Sequence, residues 1–246
     1  MMSGSKAPDS DTCGLFRTTC LHNPALHSHI VGVPALDSLY TDWYNNLVER
    51  SQRDERMDNK ALILNCALEL FYRRGYDAVG VQEIVEAAGI TKPTLYYYFG
   101  SKQGLLQALI EEKGELLLRQ VLEIKSRGLA FEEGLRELTR AYARFAGEEH
   151  HFYFLMLGLM YSPVENEAHK VALPFITKQY ELIVGSFAEA GRYLGNMNGR
   201  QEQFAIGYLG TINCYMLVHR EKRTEEVLED GKIDALLHQF LHGIYS

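Results

Sequence analysis

The segment TKPTLYYYFGSK gathers ammonium and hydroxyl groups at close spacing: Thr91, Lys92, Thr94, Tyr96, Tyr97, Tyr98 and Lys102. These groups suit the holding of a polyanion and the reading of base edges. A lysine donates to guanine O6 or N7, and Thr94 and Pro93 can pack against a thymine methyl. Gln82, a little upstream, can add a bond to a phosphate oxygen. The three tyrosines cannot all enter one core, because at 100° per residue they spread over about 200° of a helix surface. Tyr98 lies nearest the side that carries Leu95 and Phe99, which leaves Tyr96 and Tyr97 facing away.

Short helices must position this set. Asp58 or Asn59 can cap a first helix whose apolar residues Ile63, Ala67, Leu70 and Phe71 fall on one face, and Gly75 stops it. Val81, Ile84, Val85 and Ala88 make the stripe of a second helix ending at Gly89. The Thr91 hydroxyl can cap a third, Pro93 suits its first turn, and Leu95 and Phe99 point inward. Gly100 closes it. Ser101 then caps a long fourth helix reaching about Lys125, with Leu105, Leu109, Leu116 and Leu117 on its apolar stripe. Two short helices joined by a glycine turn form a helix-turn-helix. Lys92 and Lys102 also sit at helix starts, where free N–H groups and the dipole already attract an anion.

Catalytic chemistry finds little to work with. Glu148 and His151 form an E-x-x-H pair, but a di-metal carboxylate site needs a second one. Three residues before His169, His219, His238 and His242 stand Asn166, Met216, Ala235 and Gln239. Nucleophile elbow, P-loop and zinc-protease motifs are also missing. The expectation is a chain that is not an enzyme and uses no cofactor.

The net charge of −7 over 246 residues argues against nucleic acid only if charge is averaged. Between Asp58 and Gln103 the cations Lys60, Arg73, Arg74, Lys92 and Lys102 balance the anions Asp58, Glu69, Asp77, Glu83 and Glu86. Bulk steering is therefore weak and the local contact salt-dependent. With 46% hydrophobic residues the chain can bury a core. It has neither a membrane-length apolar run nor a signal-like start, so a cytoplasmic location is expected. Cys13, Cys20, Cys66 and Cys214 read as reduced thiols.

Residues 1–56 lack sustained periodicity and are expected to be a flexible extension, with a short helix possible only over Leu36–Arg50. Cys13, Cys20, His22, His27 and His29 match no zinc spacing. Met57 stands just before the first strong helix, and a start there would give a core of 57–246.

The stretch NKALILNCALELFYRRGYDAVGVQEIVEAAGITKPTLYYYFGSKQGLLQALI resembles the N-terminal DNA-binding domain of the TetR family of bacterial regulators. It carries in order the F-x-x-x-G of the first helix, I-x-x-A-A-G-I at the turn, TLYYYF in the recognition helix and GSK before the fourth helix. The resemblance implies an all-α chain: a three-helix helix-turn-helix domain over 57–104, then a helical effector-binding and dimerisation domain over 105–246. It implies a homodimeric repressor released from a palindromic double-stranded DNA operator by a small apolar or aromatic molecule. Lys92, Pro93 and Thr94 would face bases, Tyr96, Tyr97 and Tyr98 phosphates or bases, and Lys102 would grip the backbone. The alternative is a helical ligand-binding or adaptor protein that no longer binds DNA. Two positions depart from the pattern. Gly80 replaces a capping Ser or Thr, and Gly104 replaces the Glu that would complete a capping box with Ser101.

Beyond Leu129, helices are expected over Phe131–Ala146, His151–Tyr161, Pro174–Tyr193, Arg200–His219 and Lys232–Tyr245. The aromatic and sulfur-rich patch of His150, His151, Phe152, Tyr153, Phe154, Met156, Met160 and Tyr161, with Tyr142, Phe175 and Tyr180, is either core or the wall of a ligand cavity. On the last two long helices Phe204, Tyr208, Thr211, Ile212 and Tyr215, with Leu237, Phe240 and Leu241, carry the family's expected four-helix dimer interface. Two reading heads would then sit about one DNA turn, or a multiple, apart.

Overall fold

The computed structural model describes residues 59–192, 194, 197, 199–222, 227 and 230–242, together with 45, 46 and 49. The chain divides into two units, Met1–Met57 and Asp58–Ser246. In the first, Asn45, Asn46 and Glu49 are helical. The rest of the Leu36–Arg50 expectation, and the Cys13/Cys20/His22/His27/His29 group, lie outside the described residues.

The second unit is all-helical among its described residues. Helix α1 spans 59–74 and turns at Gly75, whose φ of 80° is the left-handed conformation a helix stop requires. Helices α2 (Val81–Ala87) and α3 (Lys92–Phe99) follow. Ile63, Ala67, Phe71, Ile84, Val85 and Leu95 from these elements meet in one core, with Leu95 wholly buried. Burying a side chain of that size contributes roughly 1.5–3 kcal/mol. The Thr91 hydroxyl does not cap α3 as expected; it bonds the Thr94 hydroxyl at 2.9 Å instead.

Helix α4 has three parts: Lys102–Leu109, a π-helical turn Ile110–Gly114, and Glu115–Ser126. Ser101 caps it by accepting from the Gly104 N–H at 2.9 Å. Gly104 is no mere missing glutamate. A Cβ there would lie 2.0 Å from the Phe99 carbonyl oxygen, so the tight α3–α4 corner itself excludes a side chain. The π turn explains a second departure. Its extra residue advances the helical phase by about one position. Leu116 thus turns outward at 37% exposure, and Leu117, Leu118, Val121 and Ile124 carry the buried stripe.

The remaining helices are α5 (Phe131–Glu148), α6 (His150–Met160), α7 (Glu167–Ala190), α8 (Gln201–Val218) and α9 (Asp230–His242). Helix α7 starts well before Pro174. Asn166 caps it by accepting from Ala168 and His169, strongly enough to extend the helix through the proline. The expected ends at Tyr193 and Tyr245 lie outside the described residues. No helix is long and apolar enough to cross a membrane among those described.

Candidate functional site

Helix α3 is amphipathic in the sense needed for contact with a duplex. Leu95 and Phe99 anchor it from behind, Tyr98 is half-buried against the same core, and Tyr96 and Tyr97 stand 47% and 70% exposed. The Tyr97 ring meets Tyr98 edge-on at 5.3 Å, so the half-buried tyrosine steadies the exposed one. Lys92 and Pro93 are exposed in the first turn, beside the paired hydroxyls of Thr91 and Thr94. Gln82 is exposed on α2 and donates to Glu86 at 2.6 Å. At the start of α2 the Gly80 N–H donates to the Glu83 carboxylate at 3.0 Å, which keeps one half of a capping box without a hydroxyl. That bond, with Arg74 alongside, holds Glu83 below the usual carboxylate range.

Lys102 departs from expectation. Its ammonium is turned inward, donating to the carbonyls of Tyr76 and Val79, each at 3.0 Å, and lies 4.1 Å above the Tyr76 ring. The carbonyls of the α1–α2 connection hold it there, that of Tyr76 also accepting from the Val79 N–H at 3.3 Å, so in this arrangement Lys102 braces that connection. Charge-assisted bonds of this kind are worth about 1.5–3 kcal/mol. Lys102→Ala should therefore lower the thermal midpoint by several degrees while leaving the salt slope of DNA binding unchanged. An unaltered midpoint with a slope reduced by about one per protomer would return Lys102 to the phosphate contacts.

Tyr76 continues the brace. Its hydroxyl donates to Glu167 at 2.9 Å, and that bond, after burial, keeps it from ionising in its ordinary range. Gln103 also donates to Glu167, and Asn166 donates to Asp77 at 2.6 Å, so the first turn of α7 is bonded directly to the reading head. Nothing in the sequence signalled these contacts, which join residues remote in the chain.

In the other half a narrow, nearly filled cavity of about 20 Å³ lies between α4, α5, α6, α7 and α8. Of the expected ligand residues, Phe152, Met156, Met160 and Phe175 line it, and Tyr142 stands beside it, its buried hydroxyl accepting from Gln179 at 3.0 Å. The others are elsewhere. His151 stacks on Tyr72 of α1 at 4.4 Å with its Nδ1 2.7 Å from Glu69. Phe154 packs on His150, Tyr161 is 70% exposed, and Tyr180 donates to Glu202 at 2.6 Å. A helix presents only one face to a cavity, and alternate members of an aromatic run must face away from it. Gln179, Tyr153 and Asn213 supply the cavity's polar groups, with the Tyr153 hydroxyl donating to Asn213 at 2.8 Å. Asn213 had one overlooked signal: it is an amide on the inward face of an otherwise apolar helix.

The expected dimer residues divide as well. Tyr208, Ile212 and Leu237 are almost wholly buried inside the protomer, and the Tyr208 hydroxyl is bonded to Thr139 and to the Leu135 carbonyl. They are core. Phe204, Thr211, Tyr215, Phe240 and Leu241 remain partly exposed. Along α8, Ile206, Gly207, Gly210, Cys214, Leu217 and Val218 follow at helical spacing, with Ile206 56% and Val218 78% exposed.

A sequence profile described as bacterial regulatory proteins, tetR family, matches residues 63–109. The HTH-type transcriptional activator FasR of Mycolicibacterium smegmatis is 32% identical over 112 residues, 46% of this chain and 50% of that protein. The chain thus spans half the length of that curated relative. Among solved structures, the TetR family transcriptional regulator PfmR from Thermus thermophilus has a TM-score of 0.55 at 27% identity, covering 75% of this chain and 96% of the other. The transcriptional regulator FadR from Bacillus subtilis, solved with stearoyl-CoA, shares the fold at TM-score 0.60 and 19% identity over 75% and 99% of the two chains. All three relatives are regulators of transcription rather than enzymes. With the motif order, the helical architecture and these likenesses together, residues 63–109 match the DNA-binding segment of the tetR family of bacterial regulatory proteins, and the helical fold of the chain is similar to that of solved regulators of this family.

Proposed function

We propose that this protein is a transcriptional repressor that binds a palindromic operator as a homodimer and is released by an uncharged apolar or aromatic molecule. Residues 57–104 are the reading head and 105–246 the effector and dimerisation part. The observation that carries the proposal is α3 itself: Leu95 and Phe99 fix it from behind, while Lys92, Thr94, Tyr96 and Tyr97 face outward. Such a helix fits the major groove with its N-terminal residues at base edges. Gln82 and Tyr98 are flanking contacts, and Thr91 orients the Thr94 hydroxyl. Acting on the chromosome, the protein works in the cytoplasm.

The effector reading is supported by the cavity's lining, which is uncharged and rich in aromatic and sulfur groups, with two amides and one hydroxyl to orient a ligand. A ligand acts only through its preference for the non-binding arrangement.

The test begins with selection of bound duplexes from random DNA by the full chain. A palindromic consensus is expected, and Thr94→Ala should relax preference at one position in each half-site at a cost of about 1–3 kcal/mol per contact. Uncharged aromatic and aliphatic compounds are then titrated, with stearoyl-CoA as the anionic comparison. The uncharged ones should weaken operator binding at least about fivefold. Enrichment of no sequence, and no retention of DNA at low salt, would leave the ligand-binding or adaptor alternative. Release by stearoyl-CoA alone would overturn the uncharged class.

A further inference from the structure

We infer that a distal cavity walled by Phe131, Phe187, Phe204 and Phe240 is a second small-molecule site, separate from the central cavity, and that its ligand is an uncharged aromatic compound. The inference stands independently of the regulator function proposed above.

The first observation is space. The first turns of α5 and α8 and the last turns of α7 and α9 surround about 380 Å³, with Leu194 and Met197 of the α7–α8 connection on a further side. That is the size class of sites that hold drug-sized molecules. The central cavity, at about 20 Å³, has room for about one water and must open before it admits anything larger. The distal space is already formed. The two cavities share no lining residue among those described.

The second observation is what the walls offer. Phe187 meets Phe131 edge-on at 5.2 Å and Phe240 edge-on at 6.1 Å, and its ring lies parallel to Phe204 at 6.4 Å. Rings from four helices therefore surround one space at fixed angles. An aromatic guest can match its electron-rich face and its electropositive edge to them, whereas an aliphatic chain gains burial alone. The walls are also held in advance. Behind them the buried Tyr208 packs on Phe187 and Phe240, its hydroxyl bonded to Thr139 and to the Leu135 carbonyl, and Arg136 ties α5 to α9 through Asp234 at 2.8 Å. Little side-chain freedom is left to lose on binding.

The third observation is charge. On the rim, the Glu132 carboxylate lies 3.3 Å from the Arg136 guanidinium, and the Arg200 guanidinium lies over the Phe204 ring at 5.5 Å. One anion and one cation at the rim leave no field of a single sign to draw a charged ligand in. The walls themselves carry phenylalanine, leucine and methionine, so a charge buried among them would lose its hydration without gaining a partner. His242 is the remaining polar group, and its ring can bond one hydroxyl or amine.

N-Phenylnaphthylamine, an uncharged aromatic whose fluorescence rises in apolar surroundings, is the probe. Titrated into the full chain, it should bind saturably at one site per chain. Anilinonaphthalene sulfonate, its anionic counterpart, should bind at least roughly tenfold more weakly, a difference of about 1.4 kcal/mol. Leu241→Trp on α9 and Leu194→Trp in the α7–α8 connection each fill the space and should weaken binding of the uncharged probe roughly tenfold or more. Met160→Trp, which fills the central cavity, should leave it unchanged. Leu194 and Leu241 are only partly buried, so enlarging them costs the protomer little. Thermal unfolding checks each variant, and hydrogen exchange on the wild type locates the probe without any substitution: amides in the last turn of α9 and the first turn of α8 should slow, and those of α6 should not.

The inference is overturned by the absence of saturable binding, by wild-type affinity in the folded Leu241→Trp and Leu194→Trp chains, or by slowed exchange over α6 with loss of binding in Met160→Trp. That last pattern would put the probe in the central cavity. Equal affinity for the sulfonate would overturn the uncharged class. A wild-type chain that selects no DNA overturns the proposed function and leaves this site standing.

Discussion

Lys92→Ala is expected to weaken binding to the selected operator by roughly 30-fold to 10⁴-fold while leaving the fold intact. Lys92 is exposed in the first turn of α3, and its side chain supports nothing in the core. A well-made base contact is worth about 1–3 kcal/mol of discrimination, and a two-fold symmetric protein loses it twice, or about 2–6 kcal/mol in all. The loss should fall on the preferred duplex, and random duplex should lose little. Circular dichroism and the thermal midpoint should match wild type, in contrast to Lys102→Ala. The measurement is fluorescence anisotropy on both duplexes across a salt series. An equal loss on every sequence, with a shallower salt dependence, would make Lys92 a phosphate contact and leave base reading to Thr94.

The difference between these two lysines shows where sequence stops being informative. Both occupy helix starts beside glycine turns, and their local chemistry is the same. What separates them is the path of the α1–α2 connection, which brings the Tyr76 and Val79 carbonyls under Lys102 and nothing comparable under Lys92. Helix periodicity was enough to locate α1 to α3, because Leu95, Phe99, Ile84 and Phe71 recur at spacings that only one helical face satisfies. It failed in α4, where the π turn changed the period midway and moved Leu116 outward. It failed again at Pro174, where capping by Asn166 and tertiary packing outweigh the missing backbone bond.

The cavity was legible as composition and not as geometry. Phe152, Met156, Met160 and Phe175 converge, yet His151 and Phe154, on the same short helix, face α1 and α8. The pairing of His151 with Glu69 and Tyr72 depends on where α1 lies, which no local pattern encodes. Burial beside His151 keeps the neighbouring His150 below its ordinary pKa, again a consequence of packing. Apolar helices pose the same problem at the proposed dimer surface. Tyr208 and Ile212 differ from Ile206 and Val218 only in which side of α8 meets α5, a choice set by the assembled fold.

That choice makes the second large effect predictable. Val218→Glu, alone or with Ile206→Glu, is expected to convert the dimer to monomer and to weaken operator binding by about 10²-fold to 10⁴-fold, the advantage that linking two sites confers. Both side chains are mostly exposed in the protomer, so a carboxylate there costs the isolated subunit little. Across a two-fold axis each substitution places one carboxylate near its own copy in an apolar contact, where desolvation and like-charge repulsion add. The exposed stripe also contains Gly207 and Gly210, where a second α8 can approach closely. Sedimentation velocity should show a single species near the 28.0 kDa of one chain, and affinity for an isolated half-site should be retained. A variant that stays dimeric would place the interface elsewhere. A monomer that still binds the palindrome at wild-type affinity would mean that the two reading heads act independently, and the spacing on which release depends would lose its physical basis.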